Sequence, residues 1–188
     1  MSVNIKITYM RPRTVLPKIK SLLTMPFFTS KDARKFGVSS ASLAHYLKTG
    51  DIQRIGHGIY RGIHAPTVKD FRWEDLVDVT QRVRGGVVCL ISALALYDLT
   101  EELPRQHWIA IRNDTVHRGN SSTRIVRMRN LKLGKTQIEI DGFRIPIFDR
   151  ERTVVDAFRY LSLETAIKAL RIGLRKKGTH RLSEIGRA

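Results

Sequence analysis

The stretch of residues 27–64 constrains the fold more than any other part of this chain. Its sequence is FFTSKDARKFGVSSASLAHYLKTGDIQRIGHGIYRGIH. Hydroxyl residues precede each of two short helical patterns and can cap them, while Gly37 and Gly50 can end them. The Gly-His-Gly at 56–58 lies between β-branched runs, which predicts a β-hairpin. Two short helices followed by a hairpin predict a winged helix-turn-helix.

The second predicted helix, running to about Thr49, has an outward face that is small and polar. A rotation of 100° per residue places Leu43, Ala44 and Leu47 on its inner side. No carboxylate occurs between Asp32 and Asp51. A helix that enters the DNA major groove needs such a face, because short side chains allow close approach and polar tips read base edges. The residues expected on or beside the outward face are Ala41, Ser42, His45, Tyr46, Lys48 and Thr49.

Cationic side chains lie on the first predicted helix and on the hairpin. In the first helix, Ala33 and Phe36 are expected to point inward, while Lys31, Arg34 and Lys35 point outward. The hairpin would offer Arg54, His57 and Arg61 to phosphates or to the minor groove. A metal or catalytic role for His57 is not predicted, since no second His or carboxylate follows at ligand spacing.

The charge balance points to a polyanionic partner. The chain has 34 Lys and Arg against 17 Asp and Glu, which gives a net charge of +17. Residues 1–64 contain 11 basic and 2 acidic residues (+9), so residues 65–188 carry 23 minus 15, or +8. Such a field favours nucleic acid, because neutralised phosphates release counterions. A membrane surface is less favoured, as neither a basic amphipathic helix nor a lipidation motif is present.

The composition changes after Pro66, which predicts a boundary between an N-terminal domain, 1–64, and a C-terminal domain, 65–188. The predicted fold class is α+β, with a mixed α/β C-terminal domain. An amphipathic helix is expected after Pro66, and the apolar run GVVCLISALALYDL predicts a buried helix. Asp141-Gly142 predicts a two-residue hairpin turn. Strands are expected in HWIAIRND and STRIVRMRNLKL, and helices in DRERTVVDAFRYL and SLETAIKALRIGLRKKG.

Three arginines in one predicted strand form a candidate additional basic face. Arg124, Arg127 and Arg129 are expected to alternate along STRIVRMRN and so to share one face of the sheet. That face would extend a DNA footprint, meet an acidic partner, or simply be solvated.

Enzyme chemistry is not predicted. The six His residues are scattered and Cys89 is the single Cys, so neither a zinc site nor a cofactor is expected, and a reducing cytoplasm is the expected compartment. A metal-dependent nuclease remains an alternative function, because its ligands could be Asp149, Glu151 and Asp156. However, Asp149 is better explained as a helix cap, with Asp156 solvated or paired, and the strand IEID lacks the lysine of a restriction-type site.

Several segments together resemble the AbiEi-type antitoxins of type IV toxin-antitoxin systems. The winged segment, with "GVS…L…G-x-I-x-R-I-G-x-G-I-Y", is similar to the N-terminal domain of that family. GVVCLISALALYDL, HWIAIR and FRIPIFDRERTVVDAFRY continue the resemblance, which covers about residues 14 to 177.

The resemblance implies an antitoxin that also represses its own operon. Family members bind inverted repeats in their promoter as double-stranded DNA. Their C-terminal domain opposes a nucleotidyltransferase-fold toxin without a stable complex. Carried onto this chain, the resemblance implies that bases are read by Ser39, Ser40, Ser42, His45, Tyr46 and Lys48. A regulator without a toxin partner remains the alternative beside the nuclease.

Overall fold

A computed structural model describes residues 16–117 and 119–175, with the backbone alone for residues 16–19. The arm predicted over residues 1–10 lies outside these residues. The chain divides into two compact units between Pro66 and Thr67, two residues beyond the predicted boundary. The class is α+β, as predicted. Among the described residues, no helix combines the length and apolar character that a membrane span requires.

Over residues 16–66, the first unit contains three helices and a three-stranded sheet. Both strand pairings are antiparallel, in the order β1-β3-β2. Helices α2 and α3 are joined by a short turn and followed by the β2–β3 hairpin, which agrees with the pattern predicted from the sequence. The elements are α1 (Leu16–Leu23), β1 (Phe28–Thr29), α2 (Ser30–Lys35), α3 (Ser40–Thr49), β2 (Ile52–Gly56) and β3 (Ile59–Gly62).

Local caps determine where α2 and α3 begin and end. Thr29 forms a capping box with Asp32: its hydroxyl accepts from the Asp32 N–H at 3.1 Å, and its own N–H donates to the Asp32 carboxylate at 3.0 Å. Ser39, rather than Ser40, caps α3 by accepting from the Ser42 N–H. Gly50 ends α3 with a φ of 82°, a conformation in which glycine is favoured.

The core of the first unit is a cluster that every element helps to bury. Its fully buried members are Leu22, Phe28, Ala33, Val38, Leu43 and Ile52. Phe36 was expected inside but is 37% exposed. The reason is that α2 ends at Lys35, so Phe36 is its C-cap, and Val38 occupies the buried position instead.

The second unit is built on a five-stranded mixed sheet in the order β6-β5-β4-β8-β7. The pairs β4–β8 and β5–β6 are parallel, and β4–β5 and β7–β8 are antiparallel. Asp141 and Gly142 form the predicted two-residue turn between β7 and β8, with φ angles of 48° and 84°. The strands are β4 (Val87–Val88), β5 (His107–Arg112), β6 (Thr123–Met128), β7 (Lys135–Ile140) and β8 (Phe143–Phe148).

In residues 67–117 and 119–175, four helices accompany this sheet. Helices α5, α6 and α7 pack together through a buried cluster that includes Leu94, Val154 and Ala169. Asp149 caps α6 by accepting from the Arg152 N–H at 2.8 Å, so the predicted capping role is confirmed. The helices are α4 (Phe71–Arg82), α5 (Leu90–Leu96), α6 (Arg150–Tyr160) and α7 (Leu163–Arg175).

The apolar run 86–99 is a strand followed by a helix, not the single helix predicted. Val87 and Val88 form β4 in the middle of the sheet, where β-branched side chains pack well. Cys89 is extended and is the N-cap of α5, and Leu90, the first residue of the helix, has a φ of 48°. A buried strand and a buried helix are both apolar on all sides, so hydrophobicity alone could not separate them.

Candidate nucleic-acid interface

Helix α3 presents a solvent-exposed face opposite its buried residue Leu43. Ala41, His45 and Lys48 are all exposed and recur at intervals of three or four residues, which places them on one side of the helix. Ala44 was expected inside, yet it is exposed beside this face. The α3 face, as we call Ala41, Ala44, His45 and Lys48, therefore combines two small side chains with two polar ones.

The side chains of Tyr46 and Thr49 are less available for contacts with a binding partner than those of the α3 face. Tyr46 is half-buried against the core of the first unit, and its ring makes an edge contact with His45 at 5.4 Å between centroids. The Thr49 hydroxyl donates to the Tyr46 carbonyl at 3.2 Å and also contacts the Asp51 carboxylate. We infer that Tyr46 orients His45 and that Thr49 helps to close the helix.

The serine residues at the start of α3 combine capping with exposure. Ser39 and Ser42 share a hydroxyl–hydroxyl hydrogen bond of 2.9 Å, so both belong to the cap. Ser40 is exposed and is the first residue of the helix. The N-terminus of a helix favours anions, because its first N–H groups are directed outward. Ser40 thus lies at a helix end that can accept an anion such as a phosphate.

Helix α2 adds exposed cations. Lys31, Arg34 and Lys35 are all exposed, as the sequence predicted. Arg34 donates through Nε to the Ser30 carbonyl at 3.4 Å, which leaves the rest of its guanidinium toward solvent. These side chains can neutralise phosphates without reading sequence.

The tip of the β2–β3 hairpin brings Arg54 and His57 together. The Nη2 atom of Arg54 lies 3.4 Å from Nδ1 of His57, and Arg54 Nε donates to the Gly56 carbonyl at 3.2 Å. Both side chains are exposed. The pairing between Arg54 and Gly56 contains a register shift, and such bulges re-aim side chains. The geometry gives the hairpin a two-residue polar tip suited to a phosphate or a groove edge.

Arg61 is placed differently from the other predicted hairpin contacts. It is only 8% exposed, and its guanidinium carbon lies 4.7 Å from the centroid of the Phe27 ring. We therefore assign Arg61 to packing rather than to phosphate binding. The two-residue alternation of a strand was the signal for this: Arg61 lies on the same side of β3 as the buried Ile59.

The three arginines expected to share a face of the second unit do not do so. Arg124 and Arg127 are three positions apart in β6, and an odd separation places them on opposite faces of the sheet. Arg124 stacks on the Trp108 ring at 4.0 Å. Arg127 and Arg129 instead line a separate cavity. The prediction of a single basic face is therefore wrong, because the three arginines lie in two different environments.

Two of the three carboxylates that suggested a nuclease, Asp149 and Asp156, are engaged in structural contacts. Asp149 caps α6, and burial is the main cause that raises the pKa of its carboxyl. Asp156 is buried and paired with Arg152 at 3.1 Å, so it is paired rather than solvated. Burial raises the pKa of the Cys89 thiol far above its usual value. Among the described residues, no three His, Cys, Asp or Glu side chains are grouped as metal ligands.

A comparison with known protein families gives a match within the first unit. No curated protein matches the chain. A family model described as "Transcriptional regulator, AbiEi antitoxin" matches residues 19–61. The matched segment runs from α1 to β3 and includes the whole α3 face and the hairpin tip. Over residues 19–61, this chain is therefore similar to transcriptional regulators of the AbiEi antitoxin family.

Proposed function

We propose that the first unit is a winged helix-turn-helix that binds double-stranded DNA in the promoter of its own operon. The observation that carries this proposal is the α3 face. Its small residues Ala41 and Ala44 permit close approach of the helix to base edges, while His45 and Lys48 supply polar tips. No carboxylate occurs between Asp32 and Asp51, so nothing on this face repels phosphate.

The hairpin and α2 would contact the DNA backbone on either side of α3. Arg54 and His57 are exposed at the hairpin tip, and Lys31, Arg34 and Lys35 are exposed on α2. Contacts of this kind set affinity and position, whereas α3 sets sequence preference. Ser40 and Ser42 at the start of α3 would contribute further contacts near the bases.

A gel-shift titration of the full-length protein tests the DNA proposal. The probes are a duplex from the region upstream of its own gene and a shuffled duplex of equal length and composition. We expect saturable binding to the upstream duplex at a salt concentration that abolishes binding to the shuffled one. Equal affinity for both duplexes would contradict a sequence-specific regulator. Cleavage of either probe on addition of Mg²⁺ would instead support the nuclease alternative.

We further propose that the protein is the antitoxin of a type IV system and opposes a nucleotidyltransferase-fold toxin through its second unit. The family match over residues 19–61 supports a toxin–antitoxin role, and the second unit has its own folded core to carry a separate activity. No stable complex with the toxin is expected. The inverted repeats of the promoter would be bound by two copies, each through its α3 face.

Co-expression with an adjacent nucleotidyltransferase gene tests the antitoxin proposal. The wild-type chain should restore growth of cells that express the toxin. The H45A/R54A double variant should still restore growth although it no longer represses, because the two activities lie in different units. Absence of rescue by the wild-type chain would refute the antitoxin role and favour a regulator without a toxin partner.

A further inference from the structure

A cavity of about 430 Å³ opens in the second unit at the carboxyl ends of two parallel strands. β5 and β6 pair in parallel, and the residues that follow them, Asn113 and Asn130, both line the cavity. Helix α6 forms another wall through Arg159 and Tyr160. Sheets with parallel strands commonly bind ligands beyond their carboxyl ends, and this volume suits a small molecule.

The charge of this cavity is strongly positive. Among the described residues that line it, four are arginines and one, Asp156, is acidic and already paired with Arg152. Arg127, Arg129 and Arg159 are exposed. Within the part of the chain that the structure describes, none of these three guanidiniums has a carboxylate partner. Three uncompensated cations around one cavity would repel each other unless an anion joins them.

The floor of the cavity is held in place by hydrogen bonds and a ring contact. Arg152 donates through Nη1 to the Leu133 carbonyl at 2.6 Å, and its guanidinium carbon lies 3.9 Å from the centroid of the Phe148 ring. The Asn130 side-chain oxygen accepts from the N–H groups of Lys132 and Leu133, which fixes the loop after β6. A rigid floor lets the guanidiniums bind a ligand with little loss of conformational freedom.

We propose that this cavity binds a nucleotide through its phosphate groups. Guanidiniums form charge-assisted, two-pronged hydrogen bonds with phosphate oxygens, and Arg127, Arg129 and Arg159 supply three of them. Tyr160 is 48% exposed at the end of α6 and offers an aromatic surface to the base. The nucleotide is either a free nucleoside polyphosphate or the phosphorylated end of a single strand; a cavity of this size does not admit a duplex.

This inference is independent of the proposed DNA binding by the first unit. None of the residues involved belongs to the α3 face or the hairpin. Loss of nucleotide binding would therefore leave promoter binding unchanged, and the two proposals can fail separately.

Isothermal titration of the full-length protein tests the inference. The ligands are the four ribonucleoside triphosphates, inorganic phosphate, and a dinucleotide with and without a 5′-phosphate. The variants are R129Q and R159Q, which lie on different elements and are exposed, so the fold should be kept. R124Q is the matched control, because it removes the same charge from β6 without touching the cavity.

We expect saturable binding of at least one triphosphate or of the 5′-phosphorylated dinucleotide, weakened about tenfold or more by R129Q and by R159Q and less than twofold by R124Q. If only the 5′-phosphorylated dinucleotide shows this pattern, the ligand is a strand end; if triphosphates show it, the ligand is a free nucleotide. Absence of saturable binding, binding of inorganic phosphate alone, or an equal loss with R124Q would overturn the inference.

Discussion

The backbone N–H of Ser30 donates a hydrogen bond of 3.1 Å to the carbonyl oxygen of Gly58. Ser30 is the first residue of α2, and Gly58 lies in the turn of the β2–β3 hairpin, where its φ is 66°. The pairing of β1 with β3 brings the same two segments together. The hairpin tip that carries Arg54 and His57 is thus fixed to the helix-turn-helix rather than free to swing.

Replacing Ser30 by Pro should remove this hydrogen bond and little else. Proline is well accepted at the first position of a helix, and Thr29 before it is already extended with ψ at 165°. We expect S30P to lower the free energy of unfolding by about 1 kcal/mol and to weaken binding to all duplexes. S30A, which keeps the N–H, is the matched control. Equal effects of both variants in urea denaturation and gel shift would contradict the proposed tether.

Gly62 marks the closest approach of β3 to α1. A Cβ atom built there would lie 1.9 Å from the Leu23 carbonyl oxygen and 2.4 Å from the Leu23 Cα. Because both are backbone atoms, α1 or β3 must shift. We expect G62A to cost about 3 kcal/mol or more of stability. G50A is the comparison: its Cβ would meet nothing within 4 Å, so only its positive φ is penalised, by roughly 1–2 kcal/mol. Equal losses in urea denaturation would contradict the steric explanation.

His107 should make the stability of the second unit depend on pH. Burial holds the pKa of its imidazole below the usual value of 6.5, and its Nδ1 is buried without a hydrogen-bond partner among the described residues. The unfolded chain therefore takes up this proton at a higher pH than the folded protein does. Stability should be fully present above about pH 6.5 and fall as the pH decreases below it.

Thermal unfolding of wild type and H107Q between pH 5 and 8 measures this effect. We expect the midpoint of H107Q to decline less steeply below pH 6.5 than that of the wild type. H57Q changes an exposed histidine of the first unit and serves as the control. Parallel pH profiles for wild type and H107Q would show that His107 does not contribute.

Much of the fold followed from local signals in the sequence. The caps at Thr29 and Asp149, the stop at Gly50 and the turn at Asp141-Gly142 all form where their chemistry requires. These features need only neighbouring residues, so one segment at a time is enough to predict them. The exposure of His45 and Lys48 followed in the same way from helical periodicity.

Two of the failures are local patterns that were misread, because strand alternation alone places Arg61 on the side of the buried Ile59 and puts Arg124 and Arg127 on opposite faces. The other failures arise where tertiary packing decides. The run 86–99 becomes a strand and a helix, because β4 is covered on both sides by its sheet neighbours. The cavity of the second unit joins β5, β6 and α6, and no local pattern relates these segments.

The most direct test of the central claim compares H45A with R54A on upstream and shuffled duplexes over a range of salt. H45A should reduce affinity for the upstream duplex by about 1–3 kcal/mol and leave the shuffled duplex nearly unchanged. R54A should weaken binding to both duplexes equally. It should also reduce the slope of log affinity against log salt concentration by about one unit. An equal loss on both duplexes for H45A would contradict base reading by the α3 face.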